Sequence, residues 1–337
     1  MFAYGVYQFG AFLAQRFSQP TARKAAAAVG RLSCFFQRRN RRHLYRNLEI
    51  AFGEELGPRE LRQLRARIYA NFGVFVCDFL RLPKLSQANA RGIFTESSFE
   101  SARRLGEGGR NGKPAISLTG HVGHWELGAA IVGLQGYPLL ILADTHPSPQ
   151  VTRFFNARRE EKGPKVIPVT SFLRCFRELR GNGLVAIVGD RPTTGQGIET
   201  TFFGRPALVP DGHATLARRL GASLYPTFCM LQPDGRYEFT VQDPIVPRIT
   251  DDEQADVRDT VDRCLRVIED CVRRHPEQWY VFRPIWDHKK GVRRDRLALR
   301  EERRRAMIER REARREASEI RRTADEERHG GRLRRQR

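Results

Sequence analysis

The chain is short of several things that would have fixed its class at once. Its six cysteines, at positions 34, 77, 175, 229, 264 and 271, include no CxxC pair. That excludes the common structural-zinc and thioredoxin-like spacings. Cys264 and Cys271 would share a helix face but stand too far apart to bridge, so all six read as reduced, mostly buried thiols facing a reducing compartment. No apolar run reaches the roughly 20 residues of a membrane-spanning helix. Met1 to Gln15 is apolar and aromatic, but Arg16 ends it. With no basic n-region it is also a poor signal peptide. No internal repeat suggests a solenoid.

Acidic residues are nearly missing from the start of the chain. Residues 1–50 contain one, Glu49, against nine Lys and Arg. Residues 288–337 hold twenty Lys and Arg against ten acids, and no Phe, Tyr or Trp. The two ends thus carry +8 and +10 of the net +21, leaving +3 for 51–287. A nearly neutral domain lies between two basic ends. Such ends suit an anionic membrane surface, an acidic partner or nucleic acid. Nucleic acid is not expected, because the tail has no aromatic side chain to stack on bases. Residues 288–337 read as a charged, solvated helical or disordered tail, with Glu and Arg three or four apart, as in Glu312 and Arg315.

What is present at the N-terminus is apolar surface beside positive charge. A second apolar stretch, Ala25 to Phe36, is interrupted by Arg31 and runs into Arg38-Arg39-Asn40-Arg41-Arg42. Aromatic helices with one-sided basic flanks fit a segment lying in the headgroup layer of a membrane. Residues 1–50 are therefore expected to form membrane-interface helices and 51–287 the main domain. From residue 114 short apolar strands alternate with helices. Strands are expected near 115–118, 139–142, 166–169 and 184–188, then a hairpin of 224–231 with 237–241 around Pro233-Asp234-Gly235. A helix capped by Asp211 is expected, and Thr250-Asp251-Asp252-Glu253 resembles a capping box opening another. This alternation predicts an α/β fold with a mixed, largely parallel central sheet flanked by helices.

One segment carries chemistry: Thr119-Gly120-His121-Val122-Gly123-His124-Trp125-Glu126. It follows the first core strand, so His121 should stand at the sheet's C-terminal edge, where α/β domains place their sites. Five residues along one continuous helix would hold His121 and Glu126 about 140° apart. They meet if His121 precedes the helix and Glu126 lies in its first turns. A carboxylate behind one imidazole nitrogen leaves the other as a base toward a hydroxyl, with no Ser or Cys nucleophile needed. Asp190 and Arg191 close another core strand and point to the same edge, where both are candidate substrate-binding residues and Arg191 a candidate for a phosphate or phosphopantetheine. His124 is expected to pack or cap, and His213 stands just inside a helix start. The rival from another class is a metal-dependent hydrolase using His121, His124, Asp144 and His146.

This segment resembles the lipid A biosynthesis acyltransferases, of the lauroyl and myristoyl type, within the lysophospholipid acyltransferase-like superfamily. The likeness extends through Arg46-Asn47-Leu48 and Phe52-Gly53, the stretch from Leu184 to Asp190, and Phe202-Phe203-Gly204. It continues in Gly212 to Ala222 and in His275-Pro276-Glu277-Gln278-Trp279. The resemblance implies a glycerol-3-phosphate acyltransferase-like fold and acyl transfer to a glycolipid hydroxyl. The donor would be an acyl thioester, on acyl carrier protein or CoA, with no cofactor. His121 would be the general base and Glu126 its orienting partner. Arg158 and Arg159 stand where the family has a functional arginine. Backbone amides near Gly123 and an arginine are the expected oxyanion donors. The location implied is the cytoplasmic face of a bacterial inner membrane. A lipid A-type acceptor is implied first. A phosphatidylinositol-mannoside-like or other phospholipid acceptor is the alternative, because the ending Trp279 to Trp286 has only Arg283 as a basic residue.

Overall fold

The structure is a computed structural model and describes residues 2–109, 114–179, 183–191 and 197–286. The charged tail expected over 288–337 lies outside the described residues. Residues 1–286 form one compact unit, which includes the helices of residues 1–50.

Four helices come first: α1 (Phe2–Arg16), α2 (Gln19–Phe36), α3 (Arg38–Phe52) and α4 (Pro58–Leu80). The start of α4 follows from its sequence. Pro58 fits a first turn, and the Glu60 carboxylate accepts the Gly57 N–H at 2.8 Å. Helix α2 lies tightly on α4. A Cβ on Gly73 would stand 2.2 Å from the Ala26 carbonyl oxygen, so glycine there permits the close approach. Two helices without a clear sequence signal follow, α5 (Gln87–Ile93) and α6 (Glu96–Gly108).

The α/β part then runs β1 (Ala115–Thr119), α7 (Trp125–Leu134), β2 (Leu139–Ala143), α8 (Pro149–Glu160), β3 (Lys165–Pro168), α9 (Phe172–Leu179) and β4 (Leu184–Val188). It continues through β5 (Ile198–Phe202), β6 (Arg205–Val209), α10 (Gly212–Leu220), β7 (Ser223–Leu231), β8 (Tyr237–Val241) and α11 (Glu253–Arg274). The main sheet has the order β3-β2-β4-β1-β7-β8. Its first five strands are parallel and β8 is antiparallel to β7. The expected mixed, largely parallel sheet is therefore present. β1 is buried at all five residues, as a central strand covered on both faces requires.

Three local expectations change. The loop after β4 contains a hairpin, β5 with β6, that periodicity did not show. Its turn puts Phe203 at φ 49° and Gly204 at φ 68°. Phenylalanine is uncommon at positive φ, so the sequence did not read as a hairpin turn. Here the ring is buried, 5.3 Å from the Trp279 ring and 5.8 Å from Phe52. Helix α11 is capped by Asp252, which accepts the Ala255 N–H at 3.0 Å. Thr250 instead binds the Asp256 carboxylate through its N–H and hydroxyl. Asp211 stands at the start of α10 without a side-chain capping bond.

Candidate active site

The pairing register decides which side chains meet. β1 and β4 are parallel neighbours with Thr119 opposite Val188. His121 and Asp190 each lie two residues past those ends, so they leave the same sheet edge side by side. The Asp190 carboxylate accepts the His121 backbone N–H at 2.8 Å, and its other oxygen stands 2.5 Å from His121 Nδ1. Asp190 is completely buried. Burial pushes its pKa up, but His121, through charge and two hydrogen bonds, and the charge of Arg191 outweigh this and hold it below the usual carboxylate range. An ionised Asp190 fixes the imidazole with its proton on Nδ1 and leaves Nε2 as the basic nitrogen.

The expected placement of the other acid is met, but its expected contact is not. His121 does precede helix α7, and Glu126 is the helix's second residue. The turn passes through Gly123 at φ +66°, where a Cβ would stand 2.4 Å from the Cys229 carbonyl oxygen. Yet both Glu126 oxygens are engaged by Arg159, at 2.6 and 2.8 Å. The carboxylate that meets the His121 imidazole is thus that of Asp190 rather than Glu126. Asp190 is in turn committed to His121 rather than standing free for substrate. The physical reason is the register: β4 delivers Asp190 directly beside His121, while the first turn of α7 carries Glu126 toward α8.

The Glu126–Arg159 pair is itself enclosed, with side-chain exposures of 7% and 14%. Burial disfavours the charge on Arg159, but Glu126 outweighs it and raises the pKa. Arg158 points elsewhere. Its guanidinium lies 3.5 Å from the centre of the Phe154 ring and donates to the Phe154 carbonyl. Arg191 is half-buried directly after Asp190. Two of the amides near Gly123 are already engaged: the Gly123 N–H donates to the Gln278 carbonyl at 3.0 Å and the His124 N–H to the Cys229 carbonyl at 2.6 Å.

Sequence reasoning missed a small cavity of about 40 Å³ between α7 and the sheet. Small residues leave the space: Gly128 and Ala129 on α7, and Ser117 and Ala186 on the strands, all line it. Its other walls are mainly apolar, and Ser117 and Thr227 satisfy each other at 2.8 Å. It reaches Thr119, Trp125 and Glu126, which lie two, four and five residues from His121 in the chain. The His121 ring meets Trp125 edge-on at 5.4 Å. Which small residues of the strands and α7 face one another depends on how α7 packs on the sheet, which the sequence does not show.

The residues of the metal-hydrolase alternative do not converge. His124 uses both ring nitrogens within the fold, toward the Leu127 N–H and the Phe75 carbonyl. His146 accepts the Ser148 N–H in an exposed loop. Among the described residues no three His, Cys, Asp or Glu side chains gather as metal ligands would.

Comparison with known proteins shows the class of protein to which this fold and site belong: the chain is an acyltransferase. The family model for "Bacterial lipid A biosynthesis acyltransferase" matches residues 3–288, and the chain belongs to that family. A phosphatidylinositol mannoside acyltransferase of Mycobacterium tuberculosis (strain CDC 1551 / Oshkosh) is 28% identical over 263 residues, covering 70% of this chain and 79% of that protein. One from Mycolicibacterium smegmatis is 28% identical over 181 residues, covering 52% of this chain and 57% of that protein. Among solved structures, the 1-acyl-sn-glycerophosphate acyltransferase PlsC of Thermotoga maritima aligns with 74% of this chain and 97% of its own. Its TM-score is 0.31 at 15% identity.

Proposed function

We propose that the protein moves a fatty acyl chain from an acyl thioester to a hydroxyl of a glycolipid at a membrane surface. The observation that carries this reading is the His121–Asp190 pair beside the apolar cavity under α7. His121 Nε2 takes the proton of the attacking hydroxyl. Asp190 stabilises the imidazolium that forms. The new ester forms as the C–S bond breaks, and the thiolate leaves, protonated by the imidazolium. The acyl chain lies in the cavity. Glu126, held by Arg159, forms part of its wall next to the reacting carbonyl. Arg158 and Arg191 remain candidates for binding the substrate's phosphates. The donor, acyl carrier protein or acyl-CoA, is anionic in either case and suits a basic protein.

The acceptor is a glycolipid of the phosphatidylinositol-mannoside kind rather than of the lipid A kind. Supporting this are the substrate in the names of the mycobacterial relatives and the single basic residue, Arg283, in the closing stretch Trp279 to Trp286. The site faces an anionic leaflet through α1 and α2, whose outward side chains include Phe9, Phe12, Phe35 and Phe36. No helix among the described residues is long and apolar enough to cross a membrane. The proposed attachment is interfacial, through these exposed aromatic side chains. Lipid mass spectrometry of a deletion strain tests the acceptor. Loss of one acyl chain from a mannosylated phosphoinositide is expected. Loss from lipid A with that lipid unchanged would overturn this choice of acceptor.

A further inference from the structure

The turn between His121 and Glu126 must hold two side chains that come from different elements. It is fastened by more than its backbone. His124 is 1% exposed and occupies the N-cap of α7. Its Nδ1 accepts the Leu127 N–H at 3.2 Å, so that nitrogen bears no proton. The proton therefore sits on Nε2, which donates to the Phe75 carbonyl of α4 at 3.1 Å. One ring thus closes the start of α7 and ties it to a helix 49 residues earlier in the chain. Phe75 lies against the ring at 4.3 Å, and Tyr237 meets it edge-on at 5.3 Å.

Behind the ring stands a buried polar cluster that the proposed chemistry does not use. The Tyr237 hydroxyl donates to the Asp78 carboxylate at 2.6 Å, and Arg23 of α2 pairs with the same carboxylate at 2.8 Å. Arg23 also lies 5.2 Å from the centre of the Tyr237 ring. The cluster fixes Tyr237, and Tyr237 walls the imidazole. Burial, and then the charge of Arg23, push the His124 pKa down to about 3, so the ring remains an acceptor at Nδ1 across the working pH range.

We infer that His124 is a positioning residue for acyl transfer, holding the α7 start so that His121 and Glu126 keep their places beside the cavity. The inference rests on the reading of His121 as the base. A displacement of about 1 Å at such a turn is enough to cost about 100-fold in rate. Asparagine supplies a capping acceptor for the helix start but not the ring contacts. Phenylalanine fills the ring's space and supplies no acceptor.

The test compares the full chain as wild type, His121→Ala, His124→Phe and His124→Asn, with palmitoyl-CoA as donor and phosphatidylinositol mannoside in vesicles as acceptor. His124→Phe is expected to lower kcat about 10- to 100-fold, with KM for the thioester within about twofold. His124→Asn is expected to recover kcat to within about fivefold of wild type. Wild-type kcat in a folded His124→Phe would overturn the inference. So would a loss of more than about tenfold in His124→Asn with a native melting profile, a result that stands even if His124→Phe does not fold. Near-normal turnover in His121→Ala would instead overturn the underlying reading of the base.

Discussion

At the scale of single residues, proximity was harder to read than position. The sequence places His121 and Asp190 at one sheet edge, since each closes a core strand. It does not say that β1 and β4 are neighbours, and without that pairing Asp190 has no visible partner. Glu126, five residues from His121, was the nearer candidate along the chain. In the fold it serves Arg159. His213 shows a cost that no pattern reveals. It is 2% exposed, with neither ring nitrogen hydrogen-bonded, and burial pushes its pKa from 6.5 to about 4. Above pH 6.5 the ring is neutral in both folded and unfolded chains and pH has no effect through it. As pH falls from 6.5 to 4 the unfolded chain gains a proton that the folded chain refuses, so stability drops, by about 3 kcal/mol at the lower end. Thermal melts of wild type and His213→Leu between pH 8 and pH 4 check this. The variant should lose less stability on acidification, and parallel curves would count against it.

At the scale of elements, strands and long helices were legible because their apolar periodicity is strong. The hairpin of β5 and β6 was not, because its turn uses a buried Phe203 where a hairpin signal would have asparagine or aspartate. The cavity was also hidden, since it depends on α7 presenting Gly128 and Ala129 to the small strand residues Ser117 and Ala186. Filling it tests its role. Ala129→Phe should depress kcat/KM for a long-chain thioester at least about tenfold relative to a medium-chain one, because the added ring takes up acyl space. Equal losses for both donors would mean that the acyl chain lies elsewhere.

At the scale of the whole molecule, charge and apolar surface are arranged together. Phe9 and Phe12 of α1 are 65% and 64% exposed, and Phe35 and Phe36 of α2 are 69% and 78% exposed. The charges around them in residues 1–50 are nearly all positive, as the sequence already made plain. Packing adds a link to the site: Tyr7 of α1 meets Phe155 of α8 at 5.1 Å, and α8 carries Arg159. The proposed membrane face therefore abuts the helix that holds Glu126. Replacing Phe9, Phe12 and Phe36 together by glutamate should lower co-sedimentation with phosphatidylglycerol vesicles at least about tenfold. Unchanged binding would remove these helices from the interface.

The account turns on His121 acting as a base held by Asp190. The most direct measurement is kcat for acyl transfer by wild type, His121→Ala and Asp190→Asn, each shown by its melting profile to be folded. His121→Ala should lose at least about 100-fold, and Asp190→Asn should also fall steeply, since an amide cannot stabilise the imidazolium as a carboxylate does. Turnover within a few-fold of wild type in either variant would contradict the account.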